Sequence, residues 1–325
     1  EGRTISTLVR GASDLAQLHA TLGRLYAAGV APDWLRLNGP ANAQLALPRH
    51  PWLRDTLWAE AESCARERAG PPVGPLCGEA IDHPTPTWER ALNTLYLPWI
   101  ADHQVDGMVL LPGAAFIDTA FAVAEQVLEG DGALCVENVE VSRPLVLEGD
   151  ATLLYRTSYH PQRRLVEMAS REESGGPWTR HAQAHVSRVV FDDSLRAPVF
   201  GAGEDLDVAS AYARFAQMGL VYGPACQRMT SLSICGDTVR AELSALENAP
   251  TDVTHHLHPT VLDGAFQSLL AVVLTGGDTP WVPTGIDEIT VRAPVTGPVV
   301  CIGRVKSRSE GEIVGERWLR DAAGK

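Results

Sequence analysis

His258-Pro259-Thr260-Val261-Leu262-Asp263-Gly264-Ala265-Phe266-Gln267 opens a stretch that runs to Leu274 with one charged residue. Its composition predicts a strongly apolar helix over Thr260 to Leu274. Asp263 sits early in that helix among Val261, Leu262, Ala265, Phe266, Leu269 and Leu270. A carboxylate in such company is either an N-terminal cap or a functional acid whose burial raises its pKa. Taken alone, the cap is the commoner case. Gln267, four residues on, shares the face of Asp263.

Working outward, a second helix of the same kind is predicted from Pro112 to Leu128. Pro112 fits the first turn, where its missing N–H is no loss. Ile117, Ala120, Phe121, Ala124, Val127 and Leu128 form a broad apolar face, and Gly130 stops it. Phe116-Ile117-Asp118-Thr119-Ala120-Phe121 matches Val261-Leu262-Asp263-Gly264-Ala265-Phe266 at the apolar position before Asp and at D-x-A-F. A duplicated unit, one helix wrapped by a sheet, leaves such a trace; two apolar helices can also match this far by chance. Val136 to Val146 and Thr152 to Tyr159 have the β-branched composition of strands. Asp192 to Asp207, with Pro, Gly and four Asp, reads as a linker. From Val208 the order recurs: helical periodicity, strands, the apolar helix, then strands from Ile289.

The chain of 325 residues is 45% hydrophobic and carries a formal net charge of -13. It can bury more than one average core. An acidic chain without a run of Lys and Arg repels phosphate backbones, so no nucleic acid partner is expected. No stretch reaches the ~20 apolar residues of a membrane span. Cys64, Cys77, Cys135, Cys226, Cys235 and Cys301 contain no C-x-x-C pair. They read as reduced structural thiols in a cytoplasmic protein, with no zinc knuckle. The start, Glu1-Gly2-Arg3, lacks an initiator methionine and a signal peptide, so a piece of something larger is expected. Near it, Ser13 can cap a helix with Leu15, Leu18, Leu22 and Leu25 as one narrow stripe and Gly29 as its stop. That stripe has nothing of its own to pack against. Pro32, Gly39, Pro40 and Pro48 then make an extended connector, and Ala61 to Gly74 reads as a further linker.

Three short patterns can carry chemistry. In His103-x-x-x-Gly107-x-x-x-x-Pro112, a glycine lets backbone approach a substrate and the helix after Pro112 turns its positive end toward the loop. A histidine there can act as a base near neutral pH, or simply cap a strand. Asp263 and Gln267 form the second pattern. Tyr222-Gly223-Pro224-x-x-Gln227 is the third; by itself it is more often a tight turn with a packed tyrosine.

Taken together these patterns resemble the dehydratase domains of polyketide synthases and, more distantly, of animal fatty acid synthases. His103 to Gly113 looks like the family's H-x3-G-x4-P motif. Tyr222-Gly223-Pro224-Ala225-Cys226-Gln227 resembles its Y-G-P-x-F-Q element. His258 to Gln267 resembles H-P-x-x-L-D followed by D-x-x-x-Q/H. Leu22 to Val30, Asp33-Trp34 and Leu47 to Trp52 look like the linker that follows an acyltransferase, whose leucine helix packs on the preceding domain. The resemblance implies an α+β fold, the double hotdog: two fused units, each a long helix wrapped by a curved antiparallel sheet. Residues 1–75 would be the post-acyltransferase linker segment, 76–191 the N-terminal hotdog, 192–207 a linker and 208–325 the C-terminal hotdog.

The resemblance further implies removal of water from a 3-hydroxyacyl thioester, across a tunnel lined by apolar side chains. His103 would be the base at the α-carbon and Asp263 the acid at the hydroxyl. Gly107 and the helix start at Pro112 would bind the thioester oxygen, while Gln267 and Tyr222, with Gly223 and Pro224, would orient Asp263 and substrate. No metal or organic cofactor is expected. The substrate would ride on the phosphopantetheine of a separate acyl carrier protein domain, docking near Arg143, Arg163, Arg164 or Arg180. Neighbouring acyltransferase, ketosynthase and reductase domains and a homodimer are expected. Two departures stand out: Cys226 replaces the usual Phe, which changes the shape of the tunnel, and the chain ends at Lys325 before the family's return strand. Alternatives are a cyclase or double-bond isomerase on the same fold, a carrier-docking domain without catalysis, and a metallohydrolase built on Asp102, His103, Asp106, His255, His256 and His258. Neighbouring side chains such as His255 and His256 diverge, which weighs against the last.

Overall fold

The computed structural model describes residues 4–11, 13–39, 74–149, 151–192, 194, 196–245, 255–274, 281–295, 297–309 and 311–321. The chain divides into two units, Glu1–Trp58 and Ala59–Lys325. In the first, α1 (Asp14–Ala27) and α2 (Trp34–Asn38) are joined by an edge-on contact of Tyr26 and Trp34. Ser13 occupies the cap position of α1 with the extended backbone usual there, and its side chain makes no cap hydrogen bond. Leu15 and Leu18 of the leucine stripe are 65% and 49% exposed. Leu47 to Trp52 and the linker read before residue 74 lie outside the described residues.

The second unit contains β1 (Glu79–Ala80), β2 (Thr87–Leu92), β3 (His103–Val105), β4 (Met108–Val109), α3 (Gly113–Val127), β5 (Ala133–Val141), β6 (Leu153–His160), β7 (Leu165–Glu172), β8 (Thr179–Val189) and β9 (Glu204–Asp205). There follow α4 (Val208–Gln217), β10 (Leu220–Tyr222), β11 (Met229–Cys235), β12 (Thr238–Leu243), α5 (Pro259–Leu274), β13 (Gly285–Val291), β14 (Val299–Arg308) and β15 (Ile313–Asp321).

Helices α3 and α5 are apolar on every side and accordingly buried on every side: Ala114 through Ala124 are buried, as is nearly all of α5. Pro112 precedes the first turn of α3 as its cap residue, one position earlier than its rigid φ would also have allowed. Helix α3 packs on β5, β7 and β8; α5 packs on β11, β12, β14 and β15; and the two helices pack on each other. The first sheet runs β1-β2-β6-β7-β8-β5-β13 and the second β15-β14-β12-β11-β9, every pairing antiparallel. Register slips in β5–β8, β7–β8 and β14–β15 mark bulges, the device that bends a strand and curls a sheet around a helix. This is the double hotdog.

The halves are interleaved. Strand β13, from the C-terminal half, pairs with β5 and extends the first sheet. Strand β10 pairs with β3 and sets Tyr222 directly opposite His103. Within the stretch read as a linker, Glu204–Asp205 pairs with β11, and Asp207 caps α4 by accepting from the Ser210 amide at 2.9 Å. Cys77, Cys135, Cys226, Cys235 and Cys301 are free thiols. Among the described residues no helix is long and apolar enough to cross a membrane.

Candidate active site

The site starts from a hairpin. Strands β3 and β4 are joined by Asp106-Gly107, with φ of 50° and 78°. Two consecutive positive φ values define the two-residue turn that matches strand twist, and Asp-Gly is a favoured sequence for it. The sequence reading assigns the Gly107 amide to the thioester oxygen. In the structure the glycine makes this turn and lies at the exposed tip of the hairpin. His103 stands at the other end of β3, buried, with Nδ1 3.0 Å from the Leu110 carbonyl oxygen. A carbonyl can only accept, so Nδ1 carries the hydrogen of the neutral ring and Nε2 keeps a lone pair.

Asp263 lies in the second turn of α5, too far in to cap it. The cap role falls to His258, whose Nδ1 accepts the Thr260 amide at 3.2 Å. Burial pushes His258 down to about 2, helped by His255 and Arg228, so its ring stays neutral and can accept. Asp263 is buried, and loss of water raises its carboxyl above the ordinary range, while His103, Gln267 and Arg317 pull the other way. Its Oδ1 lies 3.9 Å from His103 Nε2, with the two side chains 8% and 11% exposed. That gap is too long for a hydrogen bond. An oxygen set to one side of it can reach both atoms at about 2.8 Å.

The third motif builds a wall. Asp102 accepts the Ala225 amide at 2.6 Å, and its carbonyl accepts the Gly223 amide at 2.7 Å. A Cβ on Gly223 would stand 2.3 Å from Asp102 Oδ1, so only glycine lets the turn close on that carboxylate. Pro224 continues the turn. Tyr222 packs on His103 with ring centroids 5.7 Å apart, and burial, with Asp263 nearby, raises its phenol. Cys226 is fully buried, with Sγ 3.8 Å from the Trp99 carbonyl.

Gln267 donates to Asp263 Oδ2 at 2.7 Å and to the Cys226 carbonyl at 3.2 Å. Its oxygen accepts from the Tyr212 hydroxyl at 3.0 Å. The link to Gln267 is made by Tyr212, a residue that the sequence reading does not single out. Arg317 is also missing from that reading: its Nε donates to the Ala265 carbonyl at 3.2 Å and its guanidinium lies 4.6 Å from the Phe266 ring. Burial pushes it down to about 10. Two shallow grooves of about 420 and 430 Å³ lie around Val146, Leu153 and Glu172.

The residues of the metal alternative are engaged with other partners. Asp102 serves the Gly223 turn, His255 bonds Asp118 at 2.6 Å, His256 stacks on Phe121 and His258 packs on Trp99. Among the described residues, one group of three could converge on an ion, Cys135, Glu137 and Glu288, and it shares no member with that set. Of the arginines, Arg180 already pairs with Glu167 at 3.1 Å, while Arg143, Arg163 and Arg164 are exposed, the last two in the β6–β7 turn.

Residues 74–171 match a family model described as the polyketide synthase dehydratase domain, and 192–325 match one described as the polyketide synthase dehydratase N-terminal domain. The chain belongs to the polyketide synthase dehydratase family. It is 28% identical over 316 residues to a phenolphthiocerol/phthiocerol polyketide synthase of Mycobacterium tuberculosis (strain CDC 1551 / Oshkosh), covering 91% of this chain and 17% of that one. It is 30% identical over 289 residues to polyketide synthase GfsA of Streptomyces halstedii, covering 82% of this chain and 4% of that one. These dehydratase-family residues therefore span under a fifth of such relatives. Among solved structures, GphF dehydratase 1 superposes with a TM-score of 0.69 at 23% identity, over 78% of this chain and 94% of that one. The dehydratase domain from the CurK module of curacin polyketide synthase superposes at 0.66 and 22%, over 78% and 94%. Two further CurK structures are described as inactive mutants, one with a histidine replaced by phenylalanine and one with an aspartate replaced by asparagine.

Proposed function

We propose that this dehydratase domain removes water from a 3-hydroxyacyl thioester carried on the phosphopantetheine of an acyl carrier protein, giving the 2-enoyl thioester. The observation that carries the reading is the 3.9 Å gap between His103 Nε2 and Asp263 Oδ1, each group held from behind by its other atom. His103 Nε2 takes the α-proton. The electron pair of that C–H bond becomes the new double bond, and the C3–O bond breaks. Burial raises the Asp263 carboxyl and so favours its protonated form, whose proton goes to the departing hydroxyl, which leaves as water. His103 then returns a proton to Asp263. Charge that develops on the thioester oxygen is met at the start of α3, where the first helical bond is Ala115 to Pro112 and the Gly113 amide has no partner within the helix. This chemistry calls on no metal or organic cofactor.

The CurK descriptions support a histidine and an aspartate as the reacting pair. The chain matches a small share of whole polyketide synthases, which supports work beside neighbouring synthase domains; we infer acyltransferase, ketosynthase and reductase domains as those neighbours, and a homodimer. One GphF variant is described as isomerase-inactive, which favours double-bond isomerisation as the second reading. Incubation with a panel of 3-hydroxyacyl thioesters on carrier protein, followed by mass spectrometry, tests the proposal. Loss of one water from at least one substrate is expected. A panel that returns unchanged, while 2-enoyl substrates come back with the double bond moved, would establish the isomerase instead.

A further inference from the structure

Gln267 is an amide whose two ends are nearly alike in shape, so its partners decide which end faces Asp263. Both it and Tyr212 are buried. The Tyr212 hydroxyl oxygen accepts the Met229 amide at 3.2 Å, which leaves its hydrogen for Gln267 Oε1 at 3.0 Å. At the other end, Nε2 divides its hydrogens between the Cys226 carbonyl at 3.2 Å and Asp263 Oδ2 at 2.7 Å. A turned amide would set its oxygen against the Cys226 carbonyl and would offer Asp263 Oδ2 an acceptor. A protonated Asp263 would then answer by carrying its hydrogen on Oδ2. In the orientation observed, Oδ2 accepts, and the acid hydrogen belongs on Oδ1, the oxygen that faces His103 across the gap.

We propose that Tyr212 is a positioning residue which, through Gln267, keeps the proton of Asp263 on the oxygen that meets the substrate hydroxyl. The proposal rests on the dehydratase reading above and assigns to α4 a part in it. Tyr212 touches no reacting atom. It holds a donor in place one residue away from the acid, and the chain Met229–Tyr212–Gln267–Asp263 is made of groups with no water to replace a lost partner.

The groups that face Asp263 are His103 from β3, Arg317 from β15, Tyr222 and Tyr212 from β10 and α4, and Cys226. The N–H of Gln267 favours the carboxylate form of Asp263. Loss of its hold should therefore raise Asp263 further. If Asp263 must be protonated to act, the alkaline limb of the kcat profile reports its proton.

The test uses the whole chain and a 3-hydroxyacyl-pantetheine thioester. Tyr212→Phe should lower kcat about tenfold, the scale of one buried hydrogen bond, with KM within about twofold and the alkaline limb moved to higher pH. In a Gln267→Leu background the same change should do nothing further, because residues that act through one another are not additive. Asp263→Asn is the control. If the wild type leaves the thioester unchanged, the dehydratase reading falls and takes this proposal with it; if Asp263→Asn retains turnover, the assignment of Asp263 as the acid falls, and the proposal with it. If it loses turnover while Tyr212→Phe keeps the wild-type kcat and limb, the positioning role alone is overturned. Equal, independent losses in the double variant would overturn it too. Should Tyr212→Phe fail to fold, Gln267→Glu reads the same link: it removes the N–H donor, and wild-type kcat in that variant contradicts the proposal.

Discussion

Among the described residues the second unit holds two histidine–aspartate pairs, and they differ in how closely their members approach. Asp118 in α3 and Asp263 in α5 stand at matching places in Ile117-Asp118-Thr119-Ala120-Phe121 and Leu262-Asp263-Gly264-Ala265-Phe266. Each meets a histidine from the other half. His255 closes on Asp118 at 2.6 Å, while His103 stops 3.9 Å from Asp263. In the open pair, the Leu110 carbonyl holds His103 and Gln267 holds Asp263, each from behind. In the closed pair the two groups hold each other, and His255 packs on His258 with centroids 4.3 Å apart. The same two side chains thus provide chemistry where each is anchored elsewhere, and a tie between the halves where they are anchored to one another.

The contrast can be broken from either side. The largest effect should come from the open pair: His103→Ala or Asp263→Asn lowers turnover by at least ~10²-fold, measured by initial rates, with little change in melting temperature. Next is the closed pair. Asp118→Ala leaves the half-buried His255 ring without its partner and should remove roughly 2 kcal/mol of stability by denaturant titration. Turnover per folded molecule should stay within about twofold, set against the usual scale of catalytic groups.

A pH scan sharpens the contrast. Asp263 is raised in the folded chain, so its protonated form stabilises the fold at low pH and that contribution is lost as pH rises through the folded pKa. Asp263→Asn removes the titration, so its melting temperature should gain on the wild type as pH climbs from the ordinary carboxylate range through the raised folded pKa. A gap that shrinks with rising pH would contradict the buried acid. The smallest effect belongs to the surface: Arg163→Glu with Arg164→Glu should raise KM severalfold for carrier-bound substrate and leave a short soluble thioester unaffected. Equal effects on both substrates would make those arginines structural.

Much of this is legible in the sequence because α3 and α5 are buried all round, so their composition alone announces them. The motif histidine and aspartate are legible as a pattern of types and spacings. What escapes depends on distant chain segments. Tyr212 meets a glutamine 55 positions away, and local periodicity sees only an aromatic on the apolar face of α4. A buried phenol needs a partner, which is the available signal. Arg317 looks like one more exposed residue of a terminal strand, and the pairing of β13 with β5 crosses between the halves. The hairpin at Asp106-Gly107 has a local signal, Asp-Gly between two strand-like pairs, which a reading for the motif alone passes over.

The most direct test crosses the two pairs. His103→Ala and His255→Ala are purified in the whole chain, and each is measured for both dehydration rate and melting temperature. A crossed result is predicted: His103→Ala loses turnover and keeps its melting temperature, whereas His255→Ala melts lower and, while folded, still dehydrates. A His103→Ala protein that dehydrates at near the wild-type rate, or a folded His255→Ala protein that cannot, would contradict the assignment of chemistry to the open pair.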